Sequence, residues 1–247
     1  PIDIGIACEV EHQGKLHPLT ERKIRRGTSN FTKAAAMTRQ EVLTAILTGI
    51  DAVRVLKEQG YRLSAVGEMG IGNTTTSSAV ASVLLQKDPE LVTGAGAGLD
   101  SAGLKRKTEV IRRGIGLHHP DPMDGMEVLQ KVGGFDLAAM AGSFLGGAIY
   151  HVPVVIDGVI AAAAAAAARR IAPAATDYML AAHVSAEPAS IWLLDLIGVT
   201  PAIQAGLRLG EGTGALALFP LLDMALSIYR DMDTFAEMEI EEYKPLV

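Results

Sequence analysis

The chain has 247 residues, of which 49% are apolar and only 4% aromatic, and its formal net charge is −6. This length predicts one large domain, or one domain with a small accessory unit, and the acidic balance argues against a nucleic-acid-binding protein. The single cysteine, Cys8, excludes an internal disulfide framework and fits a reducing cytosol. We interpret Cys8 as a small buried residue at the end of a strand.

Short apolar runs rich in β-branched residues alternate with longer runs of helical character. The predicted strands cover residues 2–7, 63–66, 152–156 and 178–182. The predicted helices cover residues 38–58, 75–86, 100–118, 124–132, 137–150, 160–171, 188–197 and 214–232. Continuous apolar strands separated by helices are typical of a parallel sheet covered on both faces. We therefore predict an α/β fold with a parallel sheet flanked by helices on both faces, in which extra helices form a small accessory unit.

An unbroken run of alanines occupies residues 161–168 and predicts about two turns of helix. The run is too short to cross a membrane. Pro1 is not an initiator residue, and the acidic residues Asp3 and Glu9 do not fit the basic start of a signal peptide. We therefore expect a cytoplasmic protein whose first residue is a truncated or processed terminus.

The most informative segment is a glycine-rich turn, Gly67 to Gly72, which follows the second predicted strand and leads into a helix. Glycine lets the backbone adopt positive φ and approach a ligand closely. We expect Asn73 or Thr74 to cap the helix, whose free N–H groups favour an anion such as phosphate. The pattern is neither a P-loop nor a dinucleotide fingerprint. Because a carboxylate repels phosphate, we expect Glu68 to touch a sugar hydroxyl or a proton that moves.

A second glutamate between glycines, Glu211, precedes the last predicted helix. The low side-chain crowding would let a planar aromatic substrate stack beside it. Partial burial would raise the pKa of Glu211 toward neutrality, as a general base requires. The alternative is an ordinary first-turn glutamate favoured by the helix dipole, and the segment taken alone favours that alternative.

Ligands of parallel α/β sheets bind beyond the carboxyl ends of the strands. Besides the glycine-rich turn, Asp157-Gly158 and the segment 183–185 directly follow predicted strands, which predicts a site along one sheet edge. We interpret Ser185 together with Glu187 as a helix cap. The pair His118-His119 lies in a proline-rich loop without zinc-site spacing, so we predict no metal there.

The two glycine-rich turns, GEMGIGNTT and GEGTGA, lead to a recognisable family. The chain resembles the nicotinate-nucleotide–dimethylbenzimidazole phosphoribosyltransferases, in family order and over nearly its whole length. Further matching segments are residues 25–30, 37–39, 94–100 with Lys107, 131–136, 157–158 and 183–188. The resemblance implies transfer of phosphoribose from nicotinate mononucleotide to 5,6-dimethylbenzimidazole, with inversion at the anomeric carbon. The products would be α-ribazole 5′-phosphate and nicotinate, in cobalamin biosynthesis.

The resemblance also implies roles for individual residues. Glu211 corresponds to the general base, and Glu68 lies beside the ribose. The implied substrate-binding residues are Glu68, Gly70, Asn73, Thr74, Lys107, Gly158, Ser185, Gly210 and Gly212. No metal or cofactor is implied, because nicotinate is already a cationic leaving group. The expected partners are the two small-molecule substrates and a second copy in a homodimer, with no nucleic acid and no membrane.

Some features depart from the family pattern. Family members are usually longer at the N-terminus, and part of their benzimidazole pocket comes from that segment. Ala95 stands where the family usually has an arginine. The alternative is therefore a truncated, non-catalytic paralogue that binds a nucleotide or an azole.

We divide the chain into an N-terminally incomplete phosphoribosyltransferase core, 1–230, and a C-terminal surface segment, 231–247. We expect surplus apolar helices such as 137–150 to pack on a partner chain.

Overall fold

The computed structural model describes residues 1–9, 18–96 and 98–241. The strands are β1 Ile2–Asp3, β2 Thr20–Glu21, β3 Ser64–Val66, β4 Val154–Ile156 and β5 Met179–Ala181. The α-helices are α1 Arg39–Glu58, α2 Thr74–Leu85, α3 Pro89–Val92, α4 Ser101–His118, α5 Gly125–Val132, α6 Phe135–Tyr150, α7 Val159–Ile171, α8 Ser190–Ile197 and α9 Thr213–Asp231. A 3₁₀ helix spans Pro173–Tyr178.

The main sheet has three parallel strands in the order β3-β4-β5. The last residues of the strands are in register, since Val66 pairs with Ile156 and Ile156 with Ala181. The segments after the three strands therefore leave the sheet along one edge. β1 and β2 form a separate two-stranded parallel sheet. The predicted α/β class is confirmed.

Both faces of the main sheet are covered by helices. Val154 and Ile156 of the central strand point into the large apolar core, where α6 and α7 pack. Val155 points to the opposite face, into a smaller apolar cluster with Ala215 and Leu218 of α9. This alternation follows from the period of two in a strand and makes β4 apolar on both sides.

The alanine run lies at the centre of the molecule. All eight alanines of α7 are buried, and α7 packs against α2, α5, α6 and α8. Alanine favours helix and adds only a methyl group, so neighbouring helices can approach closely on every side. At Gly125 in α5 an added Cβ would overlap the carbonyl oxygen of Ala167. The run is therefore the shared core of four helices.

The prediction that the helix 137–150 needs a partner chain is wrong. The apolar side chains on which that prediction depended are all buried within the chain: Leu137, Met140, Ala141, Phe144 and Leu145. Helix α6 packs against α1, α7 and the 3₁₀ helix of the same chain. Helices α1 and α6 approach so closely that a Cβ at Gly49 or Gly142 would overlap the opposing backbone. Exposed apolar side chains lie instead along α9, at Leu216, Leu221, Met224, Leu226, Ile228 and Tyr229.

Several other boundaries differ from the prediction. Strand β1 ends at Asp3 rather than residue 7, because the Asp3 carboxylate accepts hydrogen bonds from the N–H groups of Gly5 and Ile6 and turns the chain. Cys8 consequently lies outside the strand and is exposed, not buried. Helix α3 and the 3₁₀ helix, both of which begin at a proline, were not predicted.

Part of the predicted C-terminal surface segment can be described. Residues 232–241 are exposed, whereas residues 242–247 lie outside the described residues, as does Ala97 in the segment 94–100. The domain division at residue 230 stays a prediction. Among the helices of the described ranges, none is both long and apolar enough to cross a membrane.

Candidate active site

The carboxyl edge of the main sheet carries a cavity of about 160 Å³. Six of the predicted site residues line this cavity: Glu68, Gly70, Thr74, Gly158, Ser185 and Gly210. Asp157, His183, Glu187 and Arg208 line it as well. Because the three strands are parallel and in register, the turns after them open into the same space.

The two glycine-rich turns are in direct contact. The backbone N–H of Glu211 donates to the carbonyl oxygen of Glu68 at 3.0 Å. A Cβ added at Gly67 would overlap the backbone of Gly212, so this approach requires glycine. The two glutamates that the sequence separates by most of the chain thus lie on adjoining turns.

Glu211 has an unusual backbone conformation. Its φ is +58°, in the left-handed region that residues other than glycine seldom adopt. The residue is exposed, so the partial burial considered for it is not found. The alternative of a first-turn glutamate is also wrong, because α9 begins at Thr213 with Gly212 as its N-cap. Such backbone strain is common at functional sites, where the surrounding structure maintains it.

Glu68 is partly buried, and its carboxylate closes its own turn. Oε2 accepts the N–H of Gly70 at 2.5 Å. Burial raises the pKa of Glu68 above its usual value; hydrogen bonds from Gly70 and Asn73 oppose the shift, and the nearby Asp136 carboxyl adds to it. Glu68 is therefore closer to its neutral form than a free carboxyl would be.

Asp136 is a site neighbour that the sequence analysis did not single out. It lies in the first turn of α6 and accepts a hydrogen bond from Nδ2 of Asn73 at 2.7 Å. Desolvation raises the pKa of the Asp136 carboxyl, and the Asn73 amide acts against that rise. Asn73 holds the N-cap position of α2, but its side chain makes no capping hydrogen bond there, contrary to expectation. Its amide is turned toward the acidic groups behind the cavity.

Lys107 reaches the N-terminal end of α2 from α4. Its buried ammonium donates to Oγ1 of Thr74 at 3.1 Å and to the carbonyl oxygen of Gly94 at 3.0 Å. Burial lowers the pKa of Lys107, and the Glu187 carboxylate opposes that shift. An ammonium with three donors, next to a helix N-terminus, provides the chemistry of an anion site.

Asp157 connects the central strand to the turn of Glu211. Its Oδ2 accepts the N–H of Gly212 at 3.0 Å, and its Oδ1 accepts that of Ala215 at 2.9 Å. Nε2 of His183 lies 3.6 Å from Oδ1. Burial acts to raise the pKa of Asp157, but His183 and the two N–H donors outweigh it and hold that pKa below its usual value. Asp157 in turn raises the pKa of His183, against the effect of burial.

The remaining predicted residues occupy different places. The residues that line the cavity do not include Asn73, Lys107, Glu211 or Gly212, and the N–H of Gly212 donates to Asp157. The predicted cap of Ser185 with Glu187 is wrong, because α8 begins only at Ser190. Oγ of Ser185 accepts the N–H of Glu187 at 3.4 Å in the turn before that helix.

The sequence analysis gave no individual role to Asp157 or His183, although the sequence does indicate that both belong to the site. Each follows a predicted strand at the carboxyl edge, where ligands bind. His118, by contrast, contacts the carbonyl oxygen of Phe31 at 2.7 Å away from the cavity. Within the described residues, no group of three or more histidine, cysteine or acidic residues is arranged to hold a metal ion.

Comparison with known proteins identifies the family. A family profile described as Phosphoribosyltransferase matches residues 1–240. The nicotinate-nucleotide–dimethylbenzimidazole phosphoribosyltransferases of Clostridium acetobutylicum and Ruminiclostridium cellulolyticum are each 47% identical to the chain over 245 residues, which is 99% of this chain and 68% of each relative. The crystal structure of CobT from Thermus thermophilus superposes with a TM-score of 0.89 at 39% identity, over 98% of this chain and 71% of that one. The chain is thus shorter than these relatives, and it belongs to the nicotinate-nucleotide–dimethylbenzimidazole phosphoribosyltransferase family.

Proposed function

We propose that this chain transfers phosphoribose from nicotinate mononucleotide to 5,6-dimethylbenzimidazole, releasing nicotinate and α-ribazole 5′-phosphate. The observation that carries the proposal is the contact between the two glycine-rich turns, which brings Glu68 and Glu211 to one edge of the sheet. The names of the 47% identical relatives support the same reaction.

The phosphate of nicotinate mononucleotide is best accommodated at the N-terminus of α2. The free N–H groups of this helix and the Lys107 ammonium both favour an anion, and Thr74 joins them. Glu68 contacts both turns, because its carboxylate accepts the N–H of Gly70 and its carbonyl oxygen accepts that of Glu211. Its pKa is raised by burial, and its carboxyl oxygens can accept a hydrogen bond from a ribose hydroxyl.

Glu211 is the candidate general base. In the proposed step the bond between the anomeric carbon and the pyridine nitrogen breaks, and nicotinate leaves with the electron pair. A ring nitrogen of dimethylbenzimidazole forms the new bond to that carbon, and the N–H proton of the azole passes to the Glu211 carboxylate. The exposed position of Glu211 leaves its face open to a planar substrate, and holding the two reactants in line supplies much of the acceleration.

The decisive experiment compares two glutamate variants by chromatographic detection of α-ribazole 5′-phosphate. Glu211→Gln should lower turnover by about a hundredfold or more while the affinity for nicotinate mononucleotide stays nearly unchanged. Glu239→Gln is the matched control, because Glu239 is also exposed and has a φ of +54°. It should behave as the unaltered chain does.

Two outcomes would contradict the proposal. Unchanged turnover in Glu211→Gln would remove the general-base assignment. Tight binding of nicotinate mononucleotide by the unaltered chain, with no product over many hours, would favour the non-catalytic paralogue instead.

We also propose that the chain forms a homodimer, with the exposed apolar side of α9 in the interface. Leu221, Met224 and Ile228 are exposed and share one side of α9 by their spacing, and exposed apolar surface of this kind marks interaction sites. Light scattering at micromolar concentration should give twice the chain mass. We expect the dimer to bury more than about 1,000 Å² in total, the usual lower bound for a biological interface. Ile228→Glu in α9 should yield monomers, whereas Leu117→Glu, at an exposed leucine of α4, should not. A monomeric unaltered chain would count against this assembly.

Two further predictions remain proposals. A cytoplasmic location is supported by the solitary cysteine and by soluble small-molecule substrates. The boundary between a core of residues 1–230 and a surface segment of residues 231–247 is supported by the end of α9 at Asp231 and by the exposure of residues 232–241.

A further inference from the structure

The first turn of α9 is capped by a residue from a distant strand. Its own N-cap residue, Gly212, has no side chain to satisfy the free N–H groups. Asp157, which directly follows β4, accepts the N–H groups of Gly212 and Ala215 instead. Glu211 immediately precedes Gly212, so the orientation of its turn is fixed from the centre of the sheet.

His183, which follows β5, packs against the same first turn of α9. The imidazole lies so close to Gly214 that an added Cβ would overlap Cδ2 and Nε2 of the ring. The side chains of Asp157 and His183 are only 2% and 3% exposed. The carboxylate is therefore enclosed between the imidazole and the first turn of α9, where a charge interaction is screened little by water.

Other charged groups share the cavity with this pair. Glu68 from the turn after β3, Glu187 from the loop before α8 and Arg208 from the segment before Glu211 line the same cavity. The first turns of α7 and α9 contribute no acidic residue, and the basic residues of these helices lie in their last turns. Within the described residues, His183 is the basic group that lies against Asp157, and the contact is an ion pair when the imidazole is protonated.

We propose that Asp157 and His183 act together as positioning residues that hold the Glu211 turn in its strained, reactive shape, and that this hold weakens when His183 loses its proton. The kinetic consequence rests on the proposed function of Glu211. The positioning itself rests only on the contacts among Asp157, His183 and the start of α9.

The direction of the pH effect follows from the two shifts. The pKa of Asp157 is lowered, so its stabilising contribution is present above the ordinary carboxyl value and is lost as the pH falls through the lower folded value. The pKa of His183 is raised, so its contribution is complete below about 6.5, the ordinary imidazole value, and is lost as the pH rises through the folded value. The turn is therefore held most firmly in mild acid and loosens on the alkaline side.

The first experiment measures positioning without any substrate. Amide hydrogen exchange is followed at Gly212 and Ala215, whose N–H groups donate to Asp157, while NMR follows the His183 ring. We expect the protection factors of both amides to fall with the same midpoint as the His183 titration. In His183→Gln they should be low and nearly independent of pH, and in His151→Gln, at an exposed histidine, they should match the unaltered chain.

Two results of this experiment would overturn the proposal. One is equal protection in His183→Gln and in the unaltered chain on both sides of the titration. The other is a midpoint that does not match that of His183. Because the second comparison uses the unaltered chain alone, it decides the matter even where His183→Gln does not fold.

The second experiment tests the consequence for transfer. The kcat of the unaltered chain should fall on the alkaline side at the measured pKa of His183. In His183→Gln we expect kcat to drop about tenfold or more, with a smaller change in KM for nicotinate mononucleotide. The decrease of kcat at alkaline pH should disappear from the pH profile of this variant. A merely structural role would lower Tm and leave that alkaline decrease in place, which would overturn the proposal.

The two experiments separate this proposal from the proposed function. Exchange that follows His183 in a chain without transfer activity would support the positioning pair and contradict the transferase function. Transfer activity in a chain whose amide exchange is insensitive to His183 would support the transferase function and contradict the positioning pair.

Discussion

Two turns of nearly the same sequence place their glutamates in opposite environments. Glu68 is partly buried, lines the cavity and accepts the N–H of Gly70 from its own turn. Glu211 is exposed, has a φ of +58° and is held from outside, through the hydrogen bonds that its neighbour Gly212 and Ala215 donate to Asp157. The flanking glycines alone therefore do not determine whether such a glutamate is buried or exposed. The groups that hydrogen-bond to its turn determine it.

The difference suits two kinds of chemistry. A half-buried carboxyl with a raised pKa is less strongly ionised than a free one, which suits a position beside an anionic substrate. An exposed carboxyl on a strained turn stays accessible to an incoming base, and its positive φ costs conformational energy. Three substitutions test whether the two turns depend on each other and on these environments.

The largest effect is expected from Gly67→Ala. Its Cβ would overlap the backbone of Gly212, so the two turns must separate. We expect a loss of about 1–3 kcal/mol in the free energy of unfolding, typical of overpacking, and a near-complete loss of transfer. Urea denaturation and the product assay measure the two effects. Gly116→Ala, where an added Cβ meets nothing within 4 Å, is the control. Normal activity in Gly67→Ala would show that the contact between the turns is dispensable.

An intermediate effect is expected from Asp136→Asn, seen as a change in the pH dependence of stability. The raised pKa of Asp136 means that its contribution to stability is complete below the ordinary carboxyl value and is lost as the pH rises through the folded value. Asparagine cannot ionise, yet it can still accept from Asn73. The variant should therefore lose less stability than the unaltered chain between mild acid and neutral pH. Parallel stability curves from urea titrations would refute this account of the Glu68 environment.

The smallest effect is expected from Glu211→Gly, and its sign is favourable. Glycine adopts positive φ without strain, so we expect the free energy of unfolding to rise by up to about 1 kcal/mol, or a few degrees in Tm, while transfer is lost. Glu68→Gly should instead destabilise the chain, because it removes the hydrogen bond to Gly70. Calorimetry distinguishes the two. Equal destabilisation by both variants would show that the Glu211 turn carries no strain.

The sequence predicted the main sheet and most helices because their patterns are local. The helix 38–58 has a capping box in which Thr38 and Glu41 bond each other's backbone N–H, and it begins within one residue of the prediction. The strand 63–66 ends where predicted because the glycine-rich turn follows it. The convergence of three turns on one edge followed from the parallel arrangement alone.

Long-range packing was not accessible in the same way. The apolar surface of α6 was assigned to a partner chain because no local signal shows that α1, α7 and the 3₁₀ helix enclose α6 within the chain. The sequence alone left open whether Glu211 is partly buried or lies in the first helical turn, because its environment depends on how α9 meets the sheet. The positions of Asp136 and Asp157 depend on contacts to residues more than fifty positions away along the chain, at Asn73 and Gly212. Such contacts exist only once the core has formed.

The alanine run of α7 has a consequence for how this sequence can change. A segment of such low complexity usually belongs to a linker or a disordered tail, where most substitutions are neutral. Here each of the eight positions is at most 2% exposed, and four helices close around them. Except at Ala161, which lines the cavity, a larger side chain would crowd a neighbouring helix, and glycine would weaken the helix itself. The stretch with the least varied composition is therefore the one in which mutation has the fewest acceptable outcomes.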